Sequence, residues 1–267
     1  MLKRMLLIAM LLFAPAGVHA ANYTDVYYDT AEPGWGAFLV QSQTFQFIAF
    51  FIYGADGKPT WYTAQLNDDG TGNYTGTLYA ITGTYFQNPW QGYNINPAGA
   101  ASFTPSDVYH ATLKYTVNGL AQVTKSMQRQ TLTPDVLSPG PNYSGSMSGA
   151  VAGCADPTQN ETPFRARYVL AVTQTANTSA SLTFTFVDTA HDGLVCTISG
   201  PIAQYGRLYQ LNGMLTCTGL GNGGNPHPAV IDAFHTTGQG IEGYLTGANG
   251  GGCNVSLHFA AVLNFNQ

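Results

Sequence analysis

The amino-acid sequence predicts an all-β protein built from two tandem small antiparallel β-barrels or sandwiches joined by a Pro-rich linker. Almost every segment after Ala21 consists of short runs of Tyr, Phe, Val, Ile and Thr separated by Gly, Asn, Asp and Pro, the pattern of strands and turns. No stretch of about 11 residues shows a sustained helical period with caps. Each half holds about eight short strands, which favours closed sheets because closure removes exposed edges.

The composition excludes several classes of protein. Charged residues make up 9% and aromatic residues 12% of the 267 residues, whereas a typical soluble domain carries about 25% charged residues. Low charge with many aromatic side chains excludes intrinsic disorder, and the scarcity of Glu and Lys excludes a coiled coil. The chain has a net charge of −5 and no cluster of Lys or Arg, so nucleic acid is not an expected partner.

Residues 1–20 have the organisation of a secretory signal peptide. Two basic residues precede the apolar run 5–13, and Val18 and Ala20 are small residues at the spacing of a cleavage site. The mature chain is therefore expected to begin at Ala21 and to be periplasmic or secreted. No later run approaches the roughly 18 consecutive apolar residues of a spanning helix, so no membrane helix is predicted.

The segment 133–141 predicts the boundary between two domains. It contains three prolines in nine residues and no strand pattern, which is typical of a semi-rigid linker. The predicted organisation is an N-terminal β-domain over 21–132, the linker over 133–141, and a C-terminal β-domain over 142–267.

The segment 45–53 is predicted to form a strand that is apolar on both faces. It leads through an Asp56-Gly57 turn into a second strand over 59–66, since Gly supplies a positive φ there. One face of the first strand carries Phe, Phe, Ala, Phe and Tyr, and the other carries Ile, Phe and Ile. One face must fill a core, and the other must meet another part of the chain or a partner.

The strand 108–117 alternates between apolar and polar residues and runs into Asn118-Gly119. A two-residue turn there would pair apolar positions with polar ones across the hairpin. A three-residue loop with Gly119 in the left-handed conformation instead pairs Tyr115 with Ala121 and keeps the apolar face intact. We therefore predict the bulged turn.

The four cysteines predict two disulfides, because their number is even and the chain is expected to be exported. A Gly206-Arg207 turn would set Cys196 directly opposite Cys217 on neighbouring strands. Cys154 and Cys253 would then pair, since they lie near the first and last strands of the second half and become neighbours when its sheet closes. Spacing alone leaves the other two connectivities open.

The residues that could carry catalysis are few, and we predict no catalytic residues, no metal ligands and no cofactor. The nearest string to a Gly-x-Ser-x-Gly elbow, 145–149, places Met147 where the nucleophile belongs. His191-Asp192-Gly193 is interpreted as a turn rather than half of a triad, and 68–72 as a hairpin turn rather than a calcium loop. The mature chain's histidines are scattered, at His110, His191, His227, His235 and His258.

Aromatic side chains offer the better functional lead, because Trp and Tyr present large faces to sugars or apolar ligands together with a polar group. The candidate ligand-binding residues are Glu32, Trp35, Trp61, Tyr62 and Trp90. The alternative is that Trp35 and Trp61 fill the barrel, and we favour that interpretation for both of them. Trp90 lies in a polar, turn-rich loop and is the tryptophan expected to be exposed.

Five segments together resemble a β-rich module found in exported proteins of Gram-negative bacteria. The segments, in chain order, are Tyr23-Thr24-Asp25-Val26-Tyr27-Tyr28, Glu32-Pro33-Gly34-Trp35-Gly36, 53–62, Tyr74-Thr75-Gly76-Thr77-Leu78-Tyr79 and Tyr115-Thr116-Val117-Asn118-Gly119. The usual form of the module has Ser where this chain has Pro33. The resemblance covers about residues 23–131 and implies compartment and architecture, and the family carries no established activity. The Cys-bearing half resembles companion domains of similar proteins.

Three functional hypotheses follow from the sequence. The first is an exported, non-catalytic binding protein for a small apolar ligand, a glycan or an envelope protein, since aromatic residues are in surplus and no catalytic constellation is evident. The second is a structural or surface-interaction protein of the cell envelope. The third is an outer-membrane β-barrel, suggested by low charge and abundant Gly, Tyr, Asn and Thr, although the linker and the cysteines within strands argue against it.

Overall fold

A computed structural model of the chain describes residues 21–133, 137, 142–176, 178–237, 239–249 and 251–264. It confirms the all-β prediction: sixteen strands form two closed, eight-stranded antiparallel barrels, accompanied by a single-turn 3₁₀ helix over Pro157–Gln159. The predicted signal peptide and most of the predicted linker lie outside the described residues.

The first barrel is an up-and-down meander in which each strand pairs with the next one along the chain. It closes where β1 pairs with β8, through Tyr27 opposite Arg129 and Tyr28 opposite Gln128. Its strands are β1 (Asp25–Tyr28), β2 (Gly36–Ser42), β3 (Phe45–Tyr53), β4 (Pro59–Asp68), β5 (Tyr74–Gly83), β6 (Tyr93–Pro105), β7 (His110–Val117) and β8 (Val123–Arg129).

The second barrel follows the same meander and closes where β9 pairs with both β10 and β16. Its strands are β9 (Tyr143–Ala152), β10 (Glu161–Ala176), β11 (Ser179–Phe186), β12 (Val195–Tyr205), β13 (Leu208–Gly219), β14 (Asn222–Thr236), β15 (Gly240–Ala248) and β16 (Asn254–Leu263). Along the sequence, the first barrel therefore ends before the segment 133–141 and the second begins after it.

Alternate residues of each strand fill the two interiors. In the first barrel the fully buried side chains include Ile48, Phe50, Leu66, Leu78, Phe103 and Leu113. In the second they include Leu170, Leu182, Phe184, Ile198, Leu211, Ile231, Phe234 and Phe259. Both barrels thus have close-packed apolar cores through their middle layers, as expected for small eight-stranded barrels.

The structure decides which face of β3 is the core face. Phe50 points inward and is 0% exposed, whereas the next residue, Phe51, points outward and is 44% exposed. The outward face is the one that begins at Phe45. The sequence left this choice open because both faces are largely apolar.

The predicted bulged turn after β7 is wrong. Tyr115 pairs with Val123 rather than with Ala121, and Leu113 pairs with Lys125, so the connection is longer by two residues. A shift of two residues keeps the same side chains on the inner face, which is why the alternation of apolar residues fits both registers. Lys125 lies on the inner face in both registers, and the longer loop places it opposite Leu113, near one end of the barrel.

Two disulfides join the pairs of the nested arrangement, Cys154–Cys253 and Cys196–Cys217. Cys196 lies directly opposite Cys217, and Tyr205 opposite Leu208, so the hairpin turns at Gly206-Arg207 as predicted. Both bonds lie at the end of the second barrel that is opposite to this turn. Two disulfides are typical of proteins that fold in an oxidising, extracellular compartment.

The β12–β13 turn packs against the end of the first barrel. Arg129 is fully buried there and donates to Asp25 Oδ2 over 2.8 Å. Gly206 has a φ of +60°, and a Cβ at this position would lie 2.5 Å from the same Asp25 oxygen, so only glycine fits. The Tyr109 hydroxyl extends this junction. It donates to the backbone carbonyl of Tyr209 over 3.1 Å and accepts from the backbone N–H of Ala233 over 2.9 Å.

The two faces of β3 provide the first testable prediction. Phe50→Ser removes a buried ring and leaves a hydroxyl in the core, so it should lower the free energy of unfolding by about 3–5 kcal/mol. Phe51→Ser alters an outward ring and should change it by less than about 1 kcal/mol. Urea denaturation followed by circular dichroism measures both values, and comparable losses would contradict the assigned core face.

Candidate functional site

The outer surface of β2, β3 and β4 carries a continuous group of exposed apolar side chains, which we call the aromatic face. Across these strands Val40 lies opposite Phe47, and Phe51 lies opposite Trp61. The Phe38 and Phe51 rings pack edge to face with centroids 5.9 Å apart. The members of the aromatic face are Phe38, Val40, Phe45, Phe47, Phe51, Tyr53 and Trp61, all of them exposed.

The aromatic face carries no charge. β2 and β3 contain no Asp, Glu, Lys or Arg, and in β4 only the final residue, Asp68, is charged. In the β3–β4 turn, Asp56 and Lys58 form an exposed ion pair. A contiguous apolar patch without charges on a closed barrel is typical of a surface that binds a partner.

The mouth of the first barrel at the end away from the junction holds a second feature. Lys125 reaches this mouth from the inner face of β8 and forms an ion pair with Glu32. The Lys125 side chain is 9% exposed and that of Glu32 is 55% exposed. The Lys125 Nζ also lies 5.9 Å from the centroid of the Trp35 ring, within the range of a cation–π contact.

The turn before β2 places these groups at the mouth. The backbone N–H of Trp35 donates to the Glu32 carbonyl over 3.1 Å, and Gly34 closes the turn with a φ of +102°, a value that favours glycine. Trp35 is buried in the core of the first barrel, and its Nε1 makes no hydrogen bond of ordinary geometry. Burial and the charge of Glu32 raise the pKa of Tyr115, while the neighbouring Trp35 N–H lowers it.

A pocket opens beside these residues. It measures about 540 Å³, and its walls include Trp35, Ile52, Tyr115 and Leu120 together with the Glu32–Lys125 pair. Tyr53 belongs both to this pocket and to the aromatic face, so the two features are continuous.

Trp90 is not among the members of the aromatic face or the walls of the mouth pocket. It sits in the connection between β5 and β6 and is 70% exposed, as the sequence predicts. Its ring packs against Tyr93 with centroids 6.2 Å apart. The hydroxyl of Thr84 holds the loop by donating to the Gly92 carbonyl and accepting from the Gln91 N–H.

The five predicted ligand-binding residues do not form one site. Glu32 and Trp35 share the mouth, Trp61 belongs to the aromatic face, and Trp90 is in the β5–β6 loop. Tyr62 points inward and packs against the core, with its ring centroid 6.2 Å from that of Phe50. The favoured interpretation that Trp35 fills the barrel is correct, whereas the same interpretation for Trp61 is wrong, because β4 turns that ring outward.

Sequence reasoning missed a cluster around His191 in the second barrel. His191 lies in a turn, as predicted, and its Nδ1 is 2.6 Å from Asp188 Oδ1 while its Nε2 is 3.1 Å from Glu161 Oε2. Because carboxylates engage both ring nitrogens, neither nitrogen is free to take a proton from a nucleophile. Asp188 is three residues away and could have been noticed, but Glu161 is brought in by the fold alone.

Comparisons of the chain with protein-family models, with curated proteins and with solved structures give no match. Within the described ranges, no helix is long and apolar enough to cross a membrane. Nor does that part of the chain contain a group of three or more His, Cys, Asp or Glu side chains arranged to hold a metal ion.

The Glu32–Lys125 pair predicts an asymmetry between two substitutions. Glu32→Gln leaves a buried ammonium without its carboxylate and should lower the free energy of unfolding by about 1–3 kcal/mol. Lys125→Met leaves a half-exposed carboxylate that water can solvate and keeps an apolar stem against Trp35, so it should cost less than about 1 kcal/mol. Equilibrium unfolding followed by tryptophan fluorescence measures both, and a greater loss for Lys125→Met would contradict the assignment.

The His191 cluster predicts a pH-dependent contribution to stability. Burial opposes protonation of His191, but its hydrogen bonds to Glu161 and Asp188 outweigh that effect and raise its pKa. The stabilisation is therefore fully present below the unfolded pKa of about 6.5 and is lost as the pH rises through the folded value. The difference in Tm between the native protein and His191→Gln should be larger near about pH 5.5 than near about pH 8.5.

The matched control for this measurement is His258→Gln, which removes an imidazole that stacks on Tyr244 on the outer surface of the second barrel. A Tm difference for His191→Gln that stays constant or grows with rising pH would contradict the proposed charge interaction.

Proposed function

We propose that this chain is an exported, non-catalytic binding protein, periplasmic or secreted, whose aromatic face binds a protein partner. The aromatic face itself carries this proposal, because seven large apolar side chains are exposed together on strands whose one charged residue is Asp68, at the end of β4. Monomeric soluble proteins rarely keep such a surface unless it is used for binding.

The chemistry of the face favours a protein over a glycan. Four of its members are phenylalanines, which offer no hydrogen-bonding group. Sugar recognition needs polar partners beside the stacking ring, whereas clustered aromatic anchors are typical of the centre of a protein interface. The half-exposed Glu32 and the Tyr53 hydroxyl at one border would supply the polar rim of such an interface.

The interiors favour this proposal over an outer-membrane barrel. Such barrels have an apolar exterior band and a polar interior. Here both described interiors are filled with apolar side chains, and the exposed large apolar side chains of the first barrel lie chiefly on β2–β4 and on the β5–β6 hairpin rather than in a band around it. Export is supported by the signal-peptide pattern, by the two disulfides and by the resemblance to the exported module.

Site-specific photo-crosslinking in the producing cell tests the proposal. A benzophenone amino acid at Phe47 lies in the middle of the aromatic face, whereas the same amino acid at Thr124 lies on the outer surface of β8 and serves as the matched control. We expect a discrete protein crosslink from position 47 and none from position 124. The added change Phe51→Ser should reduce the yield of that crosslink at least about tenfold, since hot-spot rings dominate interfaces.

The other outcomes identify other occupants. A crosslink to a second copy of this chain would make the face a dimer interface, and one to lipid or glycan would replace the protein partner. Each of these results overturns the proposal, as does the absence of any crosslink specific to position 47. Incorporation at an exposed position preserves the fold, which the native Tm of each labelled protein verifies.

A further inference from the structure

The second barrel has a cavity at its end away from the junction, which we call the distal cavity. Its volume is about 400 Å³, within the range of small-molecule pockets. The walls are largely apolar, with Phe164, Phe186, Leu215 and Leu245 among them. Both disulfides also line it, so covalent bonds tie β12 to β13 and tie the loop after β9 to the residue that precedes β16.

The floor of the distal cavity is the close-packed core of the barrel. Phe184 is fully buried and belongs both to the cavity wall and to the core, where its ring packs edge to face on Phe259 with centroids 5.3 Å apart. The cavity is therefore a widened end of a filled barrel rather than a channel. This form suits a ligand that enters from solvent and stops at the core.

The rim of the distal cavity holds the charged cluster. Glu161 and His191 both line the cavity. Glu161 contacts His191 Nε2, and Asp188 contacts Nδ1 on the other side of the ring. His191 is buried, and its ring packs on Phe164 with centroids 4.9 Å apart, so the polar group is held by an apolar wall. The Glu161 side chain is 42% exposed, which leaves it accessible to an entering group.

The charge of this rim selects among ligands. Two carboxylates flank one imidazole, so the rim is negative whether or not His191 is protonated. Water cannot screen charges well in a partly buried site, and a ligand anion would be repelled there. A donor N–H or O–H on the ligand can instead bond to the Glu161 carboxylate, since charge-assisted hydrogen bonds are strong.

We propose that the distal cavity binds one small, uncharged, mostly apolar molecule that carries a hydrogen-bond donor, with Glu161 as the acceptor. The apolar walls supply affinity, and the anionic rim excludes acids of the same shape. This site lies in the other barrel from the aromatic face, so the inference goes beyond the proposed function and does not depend on it.

Two fluorescent probes with the same ring skeleton test the inference. N-phenylnaphthylamine is uncharged and carries an N–H donor, whereas anilinonaphthalene sulfonate adds a sulfonate to that skeleton. We expect saturable binding of one N-phenylnaphthylamine per chain and at least about tenfold weaker binding of the sulfonate. Glu161→Gln should reduce the difference between the two affinities, because it removes a rim charge and keeps an acceptor.

Two matched substitutions on β13 locate the probe. Leu215→Trp fills the cavity from the inner face, while Met214→Trp makes a similar change on the outer surface of the same strand. Leu215→Trp should weaken N-phenylnaphthylamine at least about tenfold, and Met214→Trp should leave its affinity unchanged within about twofold. Val151→Trp at the half-buried mouth is a second filling variant that keeps the test decisive if Leu215→Trp fails to fold.

The inference is overturned if N-phenylnaphthylamine does not saturate, if Val151→Trp leaves its affinity unchanged, or if the sulfonate binds the native protein as tightly. Binding abolished by Phe51→Ser would place the probe on the aromatic face and would also overturn the inference. The crosslinking result is independent of these outcomes, so failure of one proposal is distinguishable from failure of the other.

Discussion

Closure of each sheet into a barrel is the constraint on which the rest of this structure depends. A closed sheet has no edges, and its interior has a fixed volume that one side chain in two must fill. The alternate residues of each strand, which do not point into the interior, must lie on the outer surface. When a strand such as β3 carries apolar residues at every position but one, closure therefore forces one of its two largely apolar faces into solvent. The aromatic face is the direct consequence of that geometry.

Closure also confines polar chemistry to the barrel ends, because only there does the inner face meet water. The charged residues on the inner faces lie at these ends. Arg129 with Asp25 occupies the junction end of the first barrel, and Lys125 with Glu32 occupies its open mouth. His191 between Glu161 and Asp188 occupies the open mouth of the second barrel. Each of the three basic side chains is nearly buried and has a carboxylate partner, as a charge at such a position requires.

The sequence predicts those features of the fold that depend on residues close together in the chain, such as strands, turns and the register of a hairpin. The Gly206-Arg207 turn and the register of Cys196 with Cys217 followed from spacing along one hairpin, and the all-β fold followed from alternation and turn residues. The length of the loop after β7 was not predicted correctly, because the alternation of apolar and polar residues identifies the inner face of a strand but not the length of the loop that follows it. The orientation of Trp61 and the approach of Glu161 to His191 depend on contacts between distant segments, which no local pattern in this chain encodes.

The scarcity of charge has a structural meaning once these positions are known. Soluble β-proteins usually protect exposed sheet surfaces with Lys or Glu, which disfavour association with other chains. Here β2, β3 and β4 carry no charged residue except Asp68 at the end of β4, and the other charges nearby in the chain lie in the turns, so the aromatic face lacks that protection. An exposed apolar surface promotes aggregation and contributes nothing to the packing of the core. Its presence on an otherwise well-packed barrel does not serve stability, and it is what the binding function proposed above would account for.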